Sequence, residues 1–195
     1  MKAKLLMIGA FCLGYAHFSA AQTIQANATL SDIASGLNYD YTIDLNNMVS
    51  STSPIETLWF AWVPGQNFLP TSPLAVQPPT GWTATITGGG PGDGYGIEFV
   101  TSTSPVTPGN SLLFNFSSTD TPAELAGNSP AHPGTPVGTS FVYSGAPFSG
   151  SSASFVVQPV PEPSSFGLLL LGGLFLWRMK RRDFRDKCQK PEPCG

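Results

Sequence analysis

Tyr39-Asp40-Tyr41-Thr42-Ile43-Asp44-Leu45 alternates apolar and polar residues at every step. Tyr39, Tyr41, Ile43 and Leu45 share one face, and Asp40, Thr42 and Asp44 share the other. That is the period-two pattern of a half-buried β-strand. Outward from this stretch the pattern recurs. Ile55 to Val63 (Ile-Glu-Thr-Leu-Trp-Phe-Ala-Trp-Val) is apolar on both faces, as a central strand would be. Trp82, Ala84 and Ile86 alternate with three threonines. Ile97 and Phe99, then Leu112, Phe114 and Phe116, then Phe141 and Tyr143, then Phe155 and Val157 mark further strands. Thr23 to Leu30 reads as a first strand. The result is about eight short strands rich in β-branched and aromatic residues, punctuated by Gly, Pro, Asn and Ser. Only Pro122 to Leu125 hints at a helical turn. The pattern predicts an all-β chain folded as an antiparallel β-sandwich, with an immunoglobulin-like topology preferred and a jelly roll as the alternative.

The chain has 195 residues, of which 41% are hydrophobic. That suffices for one domain with a core and not for several. Only 11% are charged, and the 21 Gly and 19 Pro argue against long helices. The formal net charge of -3 hides an uneven distribution. Lys2 and Lys4 are the only basic side chains before Arg178, so the 173 residues 5–177 contain no Lys or Arg. The other seven basic residues fall in the last 18. A nucleic-acid binder needs a basic face, and phosphoryl-transfer enzymes clamp phosphate with Lys or Arg; this chain suits neither role.

Both ends read as targeting segments. Residues 1–21 combine a basic start, an apolar run from Leu5 to about Gly14, and small residues at Ser19, Ala20 and Ala21. This is the form of a secretory signal peptide, read by Sec-type export machinery and cut by signal peptidase before Gln22. Cys12 follows Phe11, where a lipoprotein signal needs a small residue, so lipidation is not expected. Near the other end, Phe166 to Trp177 is a run of twelve apolar residues followed by Arg178, Lys180, Arg181 and Arg182. As a helix, twelve residues span only about 18 Å against a hydrocarbon core of about 30 Å. The run is nevertheless apolar all round, and the adjoining cationic side chains extend its span by snorkelling. A transmembrane helix at about 165–178 is therefore expected. The positive-inside rule puts the basic cluster in the cytoplasm and the domain outside.

Before that run stands Val160-Pro161-Glu162-Pro163-Ser164-Ser165. Pro-Glu-Pro, a short Leu/Gly helix and an Arg/Lys cluster, in that order and over 160–182, resemble the PEP-CTERM sorting signal of bacterial exosortase substrates. Pro161 and Pro163 cannot enter a helix interior, which keeps an extended strip at the membrane surface. The resemblance implies that Pro161, Glu162 and Pro163 are the recognition residues and that an exosortase cuts near them. Family tails usually stop soon after the basic cluster. Here 183–195 add a cytoplasmic tail with Cys188, Cys194 and a second Pro191-Glu192-Pro193 that no apolar run follows. Two thiols six apart without a nearby His make a poor zinc site. Segments such as Pro108-Gly109-Asn110-Ser111-Leu112 and Gly81-Trp82 also look like ectodomains seen with such tags, without implying an activity.

The exported domain, 22–159, has no Cys, so burial rather than disulfides must stabilise it. Its chemistry is sparse. His132, in Ser-Pro-Ala-His-Pro-Gly, reads as an ordinary loop residue without a nucleophile partner. Asp40 and Asp44 read as a solvated strand face rather than a glycosidase pair. No Asp-x-Asp-x-Asp calcium loop exists, and Asp93 is the residual calcium candidate. Gly88 to Gly96 fits neither the P-loop nor the dinucleotide fingerprint and reads as a hairpin loop. No catalytic residue, metal site or cofactor is expected. Trp59, Trp62, Trp82 and Tyr95 are the aromatic suspects, with Trp62 and Trp82 the candidates for carbohydrate contact. Trp59 and Trp62, three apart in one strand, are expected on opposite faces.

These features predict an exported, non-enzymatic bacterial envelope protein. Its precursor is anchored in the inner membrane with the domain in the periplasm. It is then processed by an exosortase to the cell surface or extracellular matrix. A structural or adhesive role within exopolysaccharide is expected, with a carbohydrate-binding module as the alternative. The -3 describes the precursor: from Gln22 to Pro163 there are nine acids and no Lys or Arg.

Overall fold

The computed structural model describes residues 23–160. The signal peptide expected at 1–21, the expected recognition residues Pro161, Glu162 and Pro163, the helix expected at 165–178, the basic cluster and the tail lie outside the described residues. Twelve strands follow in order: β1 (Ala26–Ser35), β2 (Asn38–Asn47), β3 (Thr57–Phe60), β4 (Trp62–Val63), β5 (Gln66–Asn67), β6 (Ala75–Gln77), β7 (Trp82–Gly88), β8 (Tyr95–Thr101), β9 (Ser111–Ser118), β10 (Thr139–Tyr143), β11 (Ser152–Val156) and β12 (Gln158–Pro159). One helical turn, α1 (Pro122–Leu125), sits between β9 and β10. Its Thr121 side chain caps Glu124 N–H while the Glu124 side chain returns to Thr121 N–H, which satisfies two otherwise orphaned donors. Among the described residues no helix is long and apolar enough to cross a membrane.

The strands form two five-stranded sheets, ordered β12-β1-β2-β9-β6 and β11-β10-β3-β8-β7, and a small β4-β5 ribbon. The sheets face each other across one core. Phe60 on β3 lies 5.3 Å from Phe116 on β9, and Phe99 on β8 lies 4.8 Å from Phe114 on β9. Such ring pairs add to the burial that holds two sheets together. The alternation in β2 is resolved as expected: Tyr41, Ile43 and Leu45 are buried while Asp40 and Asp44 are exposed. Tyr41 keeps its one polar atom satisfied by donating to the Asp120 carbonyl at 2.6 Å. Burial, reinforced by Asp32 and Asp120, pushes its phenol above the usual range.

Three expectations need correction. The sandwich is not wholly antiparallel: β12 runs parallel to β1, with Thr29 opposite Gln158 and Leu30 opposite Pro159. The chain crosses from β11 in one sheet to the free edge of the other and arrives in the direction of β1. The first strand spans Ala26–Ser35 rather than 23–30. Its second half has no apolar alternation to announce it, because Ile33 to Ser35 are exposed. Finally, Ile55 to Val63 is not one strand. Ala61 adopts φ 55 and separates β3 from β4.

Candidate functional site

That single backbone change builds a second aromatic cluster, apart from the main core. Leu58 and Phe60 point into the core, and Trp59 points away from it. Regular alternation would then put Trp62 on the core side. The left-handed turn at Ala61 inserts one extra residue, as a β-bulge does, and returns Trp62 to the outer face. Trp59 and Trp62 are therefore stacked, with centroids 4.2 Å apart and planes 24° apart. The expectation of opposite faces is overturned. Phe141 on β10 meets Trp62 edge-on at 6.2 Å, and Tyr143 stands beside Phe141 at 6.3 Å.

Phe148 closes this aromatic cluster. It lies 5.8 Å from Trp59, 5.6 Å from Trp62 and 5.9 Å from Tyr143, yet remains 64% exposed. It occupies the third position of the turn Ala146-Pro147-Phe148-Ser149, closed by Ser149 N–H donating to the Ala146 carbonyl at 2.9 Å. Pro at the second position and φ 64 at the third match a type II turn, where Gly is the usual third residue. A phenylalanine there is strained. The loop is tied down by Thr57 Oγ1 donating to the Gly145 carbonyl at 2.7 Å and by Ser144 N–H donating to Ser151. Beneath Phe148, Trp59 is 5% exposed and its buried indole N–H has no hydrogen-bond partner.

Of the two tryptophans expected to touch carbohydrate, Trp62 belongs to this outer cluster and is 5% exposed beneath its neighbours. Trp82 is placed differently. It is in the main core, edge-on to Phe114 at 4.9 Å, and its indole N–H donates to the Ser104 carbonyl at 2.8 Å. Both its face and its polar atom are engaged by the protein. Tyr95 packs against the main core. Phe141, Tyr143 and Phe148 were not singled out by sequence. Phe141 and Tyr143 carry a signal in their same-face spacing, whereas only the fold brings Phe148 to them.

The electrostatic centre lies elsewhere. The described residues hold eight carboxylates and no Lys or Arg. Their one acid–base side-chain contact is His132 Nε2 with Asp93 Oδ1, at 3.0 Å. Asp93 also accepts from Asn67 N–H at 2.8 Å, the Asn67 side-chain amide at 2.6 Å and Gly94 N–H at 3.0 Å. Burial works to raise this carboxyl, but the bonds from His132, Asn67 and Gly94 outweigh it and hold it below its ordinary value. The glycine-rich stretch forms the β7–β8 hairpin turn. A Cβ on Gly94 would fall 2.6 Å from the Asn67 carbonyl oxygen, so close backbone approach requires glycine there. His132 is thus a loop tie. Among the described residues no group of three or more His, Cys, Asp or Glu is arranged to hold a metal. Asp40 accepts from Ser117 Oγ at 2.6 Å on an exposed face.

At the C-terminal edge, Val160 N–H donates to the Leu30 carbonyl at 2.8 Å, just beyond β12. Residues 159–182 match the family model of the PEP-CTERM protein-sorting motif. The motif therefore begins where the folded sandwich ends, and marks the chain as an exported, membrane-anchored precursor sorted by an exosortase. No curated protein matches the chain. Among the solved structures similar to this chain are two at 12% identity. One is an inactive mutant of a GH20 exo-β-N-acetylglucosaminidase from Vibrio harveyi, with 70% of this chain aligned to 18% of that one and a TM-score of 0.39. The chain thus spans about a fifth of that enzyme's length. The other is a protein from Nocardia farcinica described as having an immunoglobulin-like fold, with 68% of this chain aligned to 98% of that one and a TM-score of 0.38.

Proposed function

We propose that this exosortase-sorted chain delivers an immunoglobulin-like β-sandwich to the cell surface or extracellular matrix. There it serves a structural or adhesive role within exopolysaccharide and performs no catalysis. The observation that carries the reading is the position of the sorting motif, which starts at residue 159, at the last residue of β12. A folded module is joined to its export tag with no intervening domain. The immunoglobulin-like assignment rests on strand order. In constant-type immunoglobulin domains strands A, B, E and D form one sheet and G, F and C the other. Here β1, β2, β9 and β6 neighbour one another in that order, and so do β11, β10 and β3. The seven letters A to G then fall on β1, β2, β3, β6, β9, β10 and β11 in chain order. The β7–β8 hairpin extends the second sheet beside strand C. This order favours the immunoglobulin-like topology over the jelly roll.

In this reading residues 1–21 are a signal peptide, 22–159 the exported domain, 160–182 the sorting signal with its membrane helix at about 165–178, and 183–195 a cytoplasmic tail. Arg178, Lys180, Arg181 and Arg182 set the topology. Intact-mass measurement of surface material tests it. A product starting at Gln22 and ending within 160–165 supports the reading. Surface protein that retains Arg178 to Gly195 in a host with an active exosortase overturns the processing step.

A second reading is carbohydrate contact. One observation favours it: the unpartnered indole N–H of Trp59 lies in a stacked tryptophan pair beneath a strained, exposed Phe148. Stacked aromatic faces suit neutral sugar rings, and the acidic domain disfavours direct contact with anionic ones. Titration of tryptophan emission with neutral glycans, against the Trp62→Ala variant, tests it. Emission that no glycan alters excludes this reading and leaves the structural role standing.

A further inference from the structure

The sequence motif leaves open how the folded domain sits while its anchor is in the membrane. The fold constrains this through the parallel pairing of β12 with β1. Val160 N–H bonds to the Leu30 carbonyl, so Val160 is level with Ser31, and the chain leaves in the direction in which β1 runs toward its turn. Five residues, 161–165, separate Val160 from the apolar run that begins at Phe166. The six steps from Val160 to Phe166 reach at most about 22 Å. From Ser31 to the turn at Gly36 is five steps, or about 17 Å of strand. The bilayer that takes up the apolar run therefore cannot lie far beyond the end of the β1–β2 hairpin.

That end is apolar and uncovered. Ser35 pairs with Asn38, leaving a two-residue turn of Gly36 and Leu37, with Gly36 at φ 69. Leu37 is 93% exposed and Ile33, near it on β1, is 73% exposed. Half-buried Tyr39 follows on β2. Leu37 is thus presented at the tip of the hairpin and Ile33 two rows behind it, at the end toward which the chain departs from Val160. Asp40 is paired with Ile33 two rows behind the Ser35–Asn38 pair at the tip, and Asp32 precedes Ile33 on β1. No basic side chain among the described residues is available to draw in anionic headgroups.

We propose that in the membrane-anchored precursor the tip of the β1–β2 hairpin, with Leu37 foremost and Ile33 behind it, seats in the interfacial layer of the anchoring bilayer. The partner is a zwitterionic lipid surface. Apolar contact holds the tip, and the two aspartates limit its depth. The seat fixes which end of the sandwich faces the membrane and holds the Pro-Glu-Pro strip at the bilayer surface. The inference rests on the anchoring and not on the carbohydrate reading.

The test uses the full chain with Cys12, Cys188 and Cys194 replaced by Ser, reconstituted into phosphatidylcholine vesicles carrying headgroup-level nitroxide lipid. An environment-sensitive fluorophore is attached through Leu37→Cys or, separately, through Val49→Cys. Val49 is 86% exposed and follows the opposite end of β2, about 30 Å of strand away. The expected result is blue-shifted, nitroxide-quenched emission at position 37 and unshifted, unquenched emission at position 49. Adding Ile33→Asp should diminish the shift at 37, and so should replacing part of the lipid with anionic phosphatidylglycerol. Chain that floats with the vesicles but leaves position 37 unquenched, or quenches 49 instead, overturns the inference alone. Chain that does not float overturns the anchoring as well.

Discussion

His132 Nε2 lies 3.0 Å from Asp93 Oδ1, joining two loops 39 residues apart in a domain without Lys or Arg. Asp93 is the hub of the contact, because it also holds Asn67 and Gly94. Asp93→Ala leaves partly buried N–H groups unpaired and is expected to cost about 1–3 kcal/mol. His132→Ala should cost less, since the other three bonds remain. Urea unfolding of both variants checks the order. Equal losses would mean that the histidine, not the backbone amides, carries the tie.

The acid response has a definite sign. Burial raises the carboxyls of Asp120, against opposing bonds from Thr71 and Ser118, and of Glu98. A raised carboxyl contributes stability that is full below its unfolded value, about 4, and is lost as pH rises through the folded one. Asp93 is lowered and works oppositely: its contribution is present above the ordinary value and lost as pH falls through the depressed one. Mutual repulsion among eight carboxylates adds to the first effect near neutrality. The urea midpoint should therefore rise as the pH is lowered from neutrality toward about 4, and fall once the solution is acid enough to protonate Asp93. Asp120→Asn should flatten the rise.

Phe148 separates strain from packing. Phe148→Gly relieves the left-handed turn position but loses three ring contacts, whereas Phe148→Ala loses the contacts and keeps the strain. The alanine variant should be less stable than the glycine variant by about 1 kcal/mol. In both, removal of the cover should shift Trp59 and Trp62 emission to the red. Unchanged emission would mean that Phe148 does not shield the pair.

Ala61 sets the register of the tryptophans. It is fully buried at φ 55. Ala61→Val places a β-branched side chain in a conformation it resists, and should cost about 2 kcal/mol or more. Ala61→Gly should be close to neutral. Thermal unfolding of the two variants checks the contrast.

The sandwich was legible wherever alternation was strong. Tyr41, Ile43 and Leu45, and likewise Phe114 and Phe116, fall in the core as their spacing predicts. Alternation fails where backbone conformation departs from the extended form, and Ala61 carries no residue-type signal for a positive φ. Hence regular alternation puts Trp59 and Trp62 on opposite faces, although they stack. Trp82 illustrates a different limit: its spacing located a strand face but could not distinguish core from surface. The His132–Asp93 pairing depends on loop closure, which no local pattern encodes. The sorting motif was readable because its information is linear, three segments in fixed order.

The parallel seam between β12 and β1 also determines how the domain bears load. Tension on its tether runs along the strand axis, so the bonds of Gln158 to Val160 with β1 are strained together rather than peeled one at a time. The seam is only three residues long with Val160 counted, and would be the first part to yield. Next in line is Val157, buried and bonded to the Gly138 carbonyl at 2.9 Å. A pulled molecule would thus pay out a few residues of slack before either five-stranded sheet is disturbed.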